Sequence, residues 1–557
     1  MKKYQKILSI FDEIYKHEAS SEYRSQLVEM LEAFHPQFSH PSAPDLSEKD
    51  SLLITYGDAI RSEDLVPLQA LKQFLIKNVK DAISAVHLLP FFPYSSDDGF
   101  SVIDFQQVDP ELGGWEDIEA LAEAYDLMFD AVINHISIES EWFQGFLNGH
   151  PAYADYFITI EDENGIRDVF RPRALPLLTE FETKEGTRKV WTTFSADQVD
   201  LNTQNPKVMI EIVKILLAFV EHGARFIRLD AIAYIWKEPG TSCIHLENAH
   251  RIVQLFRAIF ECVAPQVKII TETNVPHEDN ISYFGNGNNE AQLIYNFSLP
   301  PLMLHTFHTQ NANVLTRWAR TLETPSKQTH FFNFLASHDG IGVTPAKGLI
   351  SDNAIQRMNK DSKALGGFVS YKDNPDGSRS PYELNINYLD ALGDPLNADE
   401  PTAVVADRFL ASQAIMLGLK GVPGIYYHSL LGSRSWREGV QRTGRKRTIN
   451  REKLNLNFLE KELVSDKTLR HMVFHGYLEM LRCRSFQAKA AFAPQGRQEV
   501  LELDSRLVAL LRISPDEDVT ALCLVNVSPE CIELDLTDAG QILPRDINCH
   551  AIFPRNS

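Results

Sequence analysis

The sequence has no cysteines at metal-binding spacing, no apolar run long enough for a membrane and no surplus of basic charge. Its six cysteines (Cys243, Cys262, Cys483, Cys523, Cys531 and Cys549) are scattered over 557 residues without a CxxC pair. In a chain of this size that pattern reads as reduced thiols, and it points to the cytoplasm rather than to a disulfide scaffold or a zinc site. Every apolar run stops short of the ~18 residues needed to span a bilayer. The opening MKKYQKILSIFDEIYKHE begins basic, but charges interrupt it where a signal peptide carries its apolar core. A soluble, unexported protein with no membrane partner is expected. With 75 acidic residues against 54 basic ones, the net charge of -21 argues against nucleic acid as a partner. Any anionic substrate must therefore be held by individually placed arginines or lysines. No paired-carboxylate spacing marks a ligand set, which makes a metal site the less expected use of the chain's acids and histidines, and no cofactor is expected.

What the sequence does contain is ordinary for a globular protein: 44% hydrophobic and 23% charged residues. The length suits one large domain with insertions and one or two smaller ones. Residues 1 to about 36 repeat apolar side chains at helical spacing (Tyr4, Ile7, Leu8, Phe11, Ile14; then Tyr23, Leu27, Met30, Leu31, Phe34), which predicts two amphipathic helices in an extension over 1–50. From 51 to 484, eight short apolar runs alternate with helical segments: LLITY (52–56), AVHLLPF (85–91), LMFDAVI (127–133), FIRLDAI (226–232), VKIITET (267–273), QLIYNF (292–297), HFFNFLA (330–336) and GVPGIYY (421–427). Eight such runs predict an α/β fold of the (β/α)8 TIM-barrel type, with a doubly wound open sheet as the alternative. Two connections are too long for simple turns. The stretch at about 136–225 is expected as a subdomain inserted after strand three, and the turn-rich stretch at about 340–400 as a mobile loop. Beyond 485, LVALLRI, VTALCLVNV and IELDL predict a small all-β C-terminal domain over 485–557.

The fourth run, extended to FIRLDAIAY, sets Arg228 and Asp230 two residues apart in an apolar strand, hence on one face. Desolvating such a pair costs several kcal/mol, roughly, so it serves either as a core ion pair or in catalysis. In a barrel, groups at the C-terminal ends of strands converge on one mouth. Here those ends carry Asn134 and His135, Arg228 and Asp230, Glu272, and His338 and Asp339. Three carboxylates and two histidines in one pocket match what glycosyl transfer through an oxocarbenium-like transition state requires. A metal site is the competing use of the same groups.

DAVINH (130–135), RFIRLDAI (225–232), ITETN (270–274) and FLASHDG (334–340) resemble, in order, the four signature regions of the α-amylase clan, glycoside hydrolase family 13. HLLPFFPYSSDDGF, RPRALP, KEPGTSC, FSLPPLMLH and HDGIGV narrow the resemblance to its sucrose phosphorylase subfamily. The helical extension, ITETNVPHEDNISYFG and NPDGSRSPYELNINYLDAL are most similar to members that use glycerate as acceptor.

The resemblance implies a retaining α-glucoside phosphorylase that works without metal, with an α-glucoside, phosphate, α-glucose 1-phosphate and glycerate as its small-molecule substrates. It makes Asp230 the nucleophile, Glu272 the general acid and base, and Asp339 the stabilising carboxylate. Arg228 would keep Asp230 ionised. His135, His338 and a pair formed by Asp98 and Arg447 would hold the glucosyl hydroxyls, with Phe100 and Tyr234 as aromatic walls. Arg173 and Tyr382 would form the phosphate subsite, and Lys347 or Arg379 is a candidate, with Arg173, for the glycerate carboxylate. Ordinary core packing is the other reading of each aromatic, and a solvated surface charge that of each loop cation. SPYELN departs from the sucrose phosphorylase pattern by placing Glu383 where those enzymes have glutamine, which puts sucrose in doubt. Sucrose, sucrose 6-phosphate and glucosylglycerol phosphorylases stay open as alternatives, as does a non-catalytic sugar-binding module.

Overall fold

Runs of β-branched, leucine and aromatic residues become the staves of a closed barrel. In the computed structural model, which describes residues 2–35, 45–173, 175–374 and 378–534, the strands are β1 (Leu52–Thr55), β2 (Ala85–Leu88), β3 (Asp126–Ala131), β4 (Ala224–Leu229), β5 (Lys268–Thr271), β6 (Leu293–Tyr295), β7 (His330–Asn333) and β8 (Val422–Tyr426). All neighbours are parallel, and β8 pairs with β1 to close the circle, which rules out the open sheet. Nearly every strand position is buried, because one face looks into the barrel and the other onto helices. Gly424 of β8 permits the closure: a Cβ there would stand 2.3 Å from the ring of Phe332 on β7.

The N-terminal extension forms α1 (Gln5–Tyr15) and α2 (Ser21–Ala33). Ser20 caps α2 by accepting the Tyr23 N–H. These helices dock on two barrel helices, α2 on α3 (Pro206–Glu221) and α1 on α4 (Glu247–Val263). Ile7, Phe11 and Ile14 are buried there, and the Tyr15 hydroxyl donates to the Thr203 carbonyl at 2.9 Å.

After β3 the chain builds a short helix (Glu141–Leu147) and a hairpin (Leu178–Thr183 with Gly186–Trp191) before α3 returns it to β4. The stretch expected as a mobile loop after β7 carries helices and strands where described. Ile341–Gly342, Arg379–Asn385 and Phe368–Asp373 make a three-stranded antiparallel sheet that buries Val369 and Leu384. At the C-terminal side Arg497–Leu501, Leu507–Ile513 and Thr520–Asn526 form a second antiparallel sheet, packed on α5 (Thr402–Gly418). Cys549 and the last two residues of the IELDL run lie outside the described residues, as does Ala174 of RPRALP.

Candidate active site

The strand expected at 226–232 ends at Leu229, and Asp230 opens a turn at the barrel mouth. The turn is sharp because Ala231 takes a left-handed conformation (φ +48°), which a residue with a Cβ adopts at a cost of about 1 kcal/mol. What it achieves is local. The Ala231 N–H donates to Glu272 Oε2 at 3.1 Å, tying the ends of β4 and β5 together. Arg228, still on the strand, donates from Nη1 to Asp230 Oδ1 at 2.7 Å, and the same nitrogen also contacts Asp130. Arg228 Nη2 stands 4.0 Å from Glu272.

Asp339 and His338 follow β7. The His338 ring stacks on Phe100 with centroids 4.6 Å apart, and burial depresses its pKa to about 3, so the stack is with a neutral imidazole. Phe100, His135, Asp230, Tyr234, Glu272, His338, Asp339, Tyr382, Arg447 and Arg173 line one pocket, and Arg228 lies directly beneath Asp230. His135 contacts the Phe100 carbonyl through Nε2 at 2.8 Å, and Tyr234 meets Phe194 edge-on.

Three positions differ from expectation. The pair Asp98 and Arg447 does not form. Asp97 and Asp98 are both left-handed, and Asp97 is the one that faces the pocket. Arg451 holds both, at 3.2 Å to Asp97 and 2.6 Å to Asp98, while Arg447 is bound to Asp339 at 2.6 Å and to both oxygens of buried Glu383. Lys347 is exposed and outside the pocket lining. Arg379 is also exposed, and it pairs with Asp373 at 2.9 Å. Neither Lys347 nor Arg379 lines the pocket, and the small sheet puts Tyr382 in the lining while leaving Arg379 exposed.

Electrostatics separates the three carboxylates. Burial, reinforced by Asp230 and Asp339 and opposed by Arg228, lifts Glu272 to about 7. Asp339 goes the other way: against burial, Arg447, His338 and Arg451 hold it at about 2. Asp230 is raised by burial, and Arg228 offsets only part of that, since Asp130 draws on the same guanidinium. Near neutral pH the pocket thus offers a protonated Glu272 beside an ionised Asp339.

Arg173 is the least committed of the lining cations. Its Nη2 lies 3.3 Å from Asp97 and its guanidinium 5.5 Å from the Phe194 ring centroid, whereas Arg228 and Arg447 each serve two carboxylates at close range. Sequence reasoning missed Asp97, Arg451 and the Glu383 clamp. Asp97 and Asp98 are identical neighbours, and Arg451 is one of five basic residues between 442 and 451, so only the fold distinguishes them.

A (β/α)8 barrel with this pocket defines a glycoside-processing enzyme. The sequence profile of the α-amylase catalytic domain matches residues 76–363, and the chain belongs to that family, glycoside hydrolase family 13. It is 54% identical to a glucosylglycerate phosphorylase of Spirochaeta thermophila over 87% of this chain and 82% of the relative. It is 44% identical to the glucosylglycerate phosphorylase of Escherichia coli over 96% and 95% of the two chains. Among solved structures it resembles sucrose 6F-phosphate phosphorylase from Thermoanaerobacter thermosaccharolyticum, with TM-score 0.74, 26% identity, and coverage of 88% of this chain and 96% of that one.

Proposed function

We propose that the protein is a retaining phosphorylase that interconverts 2-O-α-glucosylglycerate and phosphate with α-glucose 1-phosphate and D-glycerate. The observation that supports double displacement is the split between Glu272, held up at about 7, and Asp339, held down at about 2, in the pocket that Asp230 also lines, while phosphate as the attacking group rests on the phosphorylases among the relatives. The acceptor rests on the relatives at 44–54% identity.

In this reading an Asp230 carboxylate oxygen attacks the anomeric carbon as the bond to glycerate breaks, and Glu272 gives its proton to the departing oxygen. A phosphate oxygen then attacks the β-glucosyl enzyme from the face glycerate left, its proton passes to Glu272, and Asp230 leaves. Two inversions give net retention. Asp339, fixed by Arg447, balances the positive charge that develops at the anomeric carbon in both steps. His135, His338, Asp97 and Arg451 surround the glucosyl group, with Phe100 and Tyr234 as its walls.

Glycerate and phosphate occupy the same side of the glucosyl enzyme in alternate half-reactions, so one cation can serve both anions. Arg173, with Tyr382 beside it, fills that role, since neither Lys347 nor Arg379 lines the pocket. An arginine fork can meet two oxygens of either anion. The test is synthesis from α-glucose 1-phosphate with D-glycerate, glycerol and fructose compared at several salt concentrations. Glycerate is expected to be preferred, with its advantage over glycerol shrinking as salt rises. Preference for glycerol or fructose would overturn the acceptor assignment.

A further inference from the structure

Beneath the pocket, a chain of buried polar groups runs down into the barrel and ends in a histidine that the reaction above does not use. His87, on β2, is fully buried, and its Nε2 lies 2.6 Å from Asp130 Oδ2 on β3. The other Asp130 oxygen contacts Arg228 Nη1, the atom that also reaches Asp230 Oδ1 at 2.7 Å. Asp130 is fully buried too, and its carboxyl stays ionised: against burial, Arg228 and His87 lower its pKa.

The ring's protonation follows from its two ends. Nε2 faces a carboxylate, so it carries the proton. Nδ1 is buried without a hydrogen-bond partner, and a proton there would be an unpaired buried donor costing about 1–3 kcal/mol, as well as a second charge. The imidazole is therefore neutral, consistent with a pKa that burial depresses despite Asp130.

Arg228 Nη1 lies between two aspartates. The closer Asp130 holds the guanidinium, the less of it reaches Asp230. A donor on the far oxygen of Asp130 withdraws charge from that carboxylate and fixes its plane. We propose that His87 is a positioning residue: its Nε2–H orients Asp130 so that Arg228 is aimed at Asp230 and holds its carboxylate for attack on the anomeric carbon. This rests on Asp230 being the nucleophile. His87 touches no substrate, so its removal alters the bond-making step and leaves sugar binding nearly intact.

The experiment compares His87→Leu, which cannot donate, with His87→Gln, whose amide N–H can. Phosphate release from α-glucose 1-phosphate is followed in the folded fraction of each, alongside histidine ¹⁵N NMR of the resting wild-type enzyme, with His87 assigned by its loss in His87→Gln. The leucine variant is expected to lose at least about 100-fold in kcat with KM within about threefold, and the glutamine variant to keep at least a tenth of wild-type kcat. The ¹⁵N signals should show protonated Nε2 and bare Nδ1 from pH 5 to pH 8. Equal losses in both variants, losses carried by KM, or leucine activity within threefold of wild type overturns the proposal. If His87→Leu does not fold, His87→Gln decides alone, and kcat below a tenth of wild type overturns it. Protonated Nδ1 overturns it whatever the activity, so this readout stays separate from the phosphorylase reading, which wild-type turnover tests first.

Discussion

Replacing Glu272 by glutamine should make the protein more stable, with a gain that starts above about pH 4.5, where the unfolded carboxyl ionises, and is nearly complete by about pH 7. Glu272 is lifted from 4.5 to about 7 by burial first and then by its carboxylate neighbours. A carboxyl raised in the folded state binds its proton more tightly there than in the unfolded chain. The fold therefore has its full stability below about 4.5 and loses it as pH rises through about 7. At about 1.4 kcal/mol per pH unit, the loss by pH 8 is about 3 kcal/mol. Glutamine keeps the shape, can still accept from the Ala231 N–H and never ionises. For a chain of 557 residues, whose unfolding entropy scales with length, about 3 kcal/mol corresponds to a rise in Tm of about 2–3 °C. The assay is calorimetric Tm for both proteins from pH 4.5 to pH 8.5, at fixed salt. A difference that stays flat across that range, or a variant that is the less stable at pH 8, refutes the reasoning. The same substitution should separate the two donors. A departing glycerate alkoxide needs the acid's proton, whereas phosphate is a good leaving group unaided, so turnover of glucosylglycerate falls far more than glucosyl transfer from α-glucose 1-phosphate.

Asp230→Asn should abolish turnover while circular dichroism and Tm stay close to wild type, and activity within tenfold of the parent would remove Asp230 from the nucleophile's role. Arg173→Ala should weaken both phosphate and glycerate by about 2 kcal/mol or more in kcat/KM, yet leave transfer to glycerol and slow hydrolysis less affected. Equal losses with charged and neutral acceptors would reduce Arg173 to a support for its loop.

The barrel was legible because its strands are buried on both faces, and such runs stand out without any tertiary information. The convergence of Asp230, Glu272 and Asp339 on one pocket was legible because each sits at a recognisable strand end. The ion-pair wiring was not. Which carboxylate Arg447 meets depends on the small sheet that carries Glu383 to it, and that sheet is made from a turn-rich stretch with weak alternation. Asp97 and Asp98 differ only in the direction their backbone gives them. His87 is one polar interruption of an apolar run, unremarkable in sequence, and its meaning comes from Asp130 on the neighbouring strand, in a barrel register that places His87 beside Met128.

The docking of α1 on α4 also constrains the order in which a ribosome-bound chain can fold. An isolated helix of 11 residues is marginal in water, so α1 gains stability only when its partner exists. That partner ends at Val263, about 250 residues later, which at 5–20 residues per second is roughly 12–50 s of synthesis. During that interval the apolar stripe of Ile7, Phe11 and Ile14 is uncovered on the nascent chain. β1 waits longer still, since its β8 neighbour begins at Val422. Both segments are thus made well before they are sealed, and a holdase chaperone would find its target on the nascent chain while the residues between α1 and Val263 are being made.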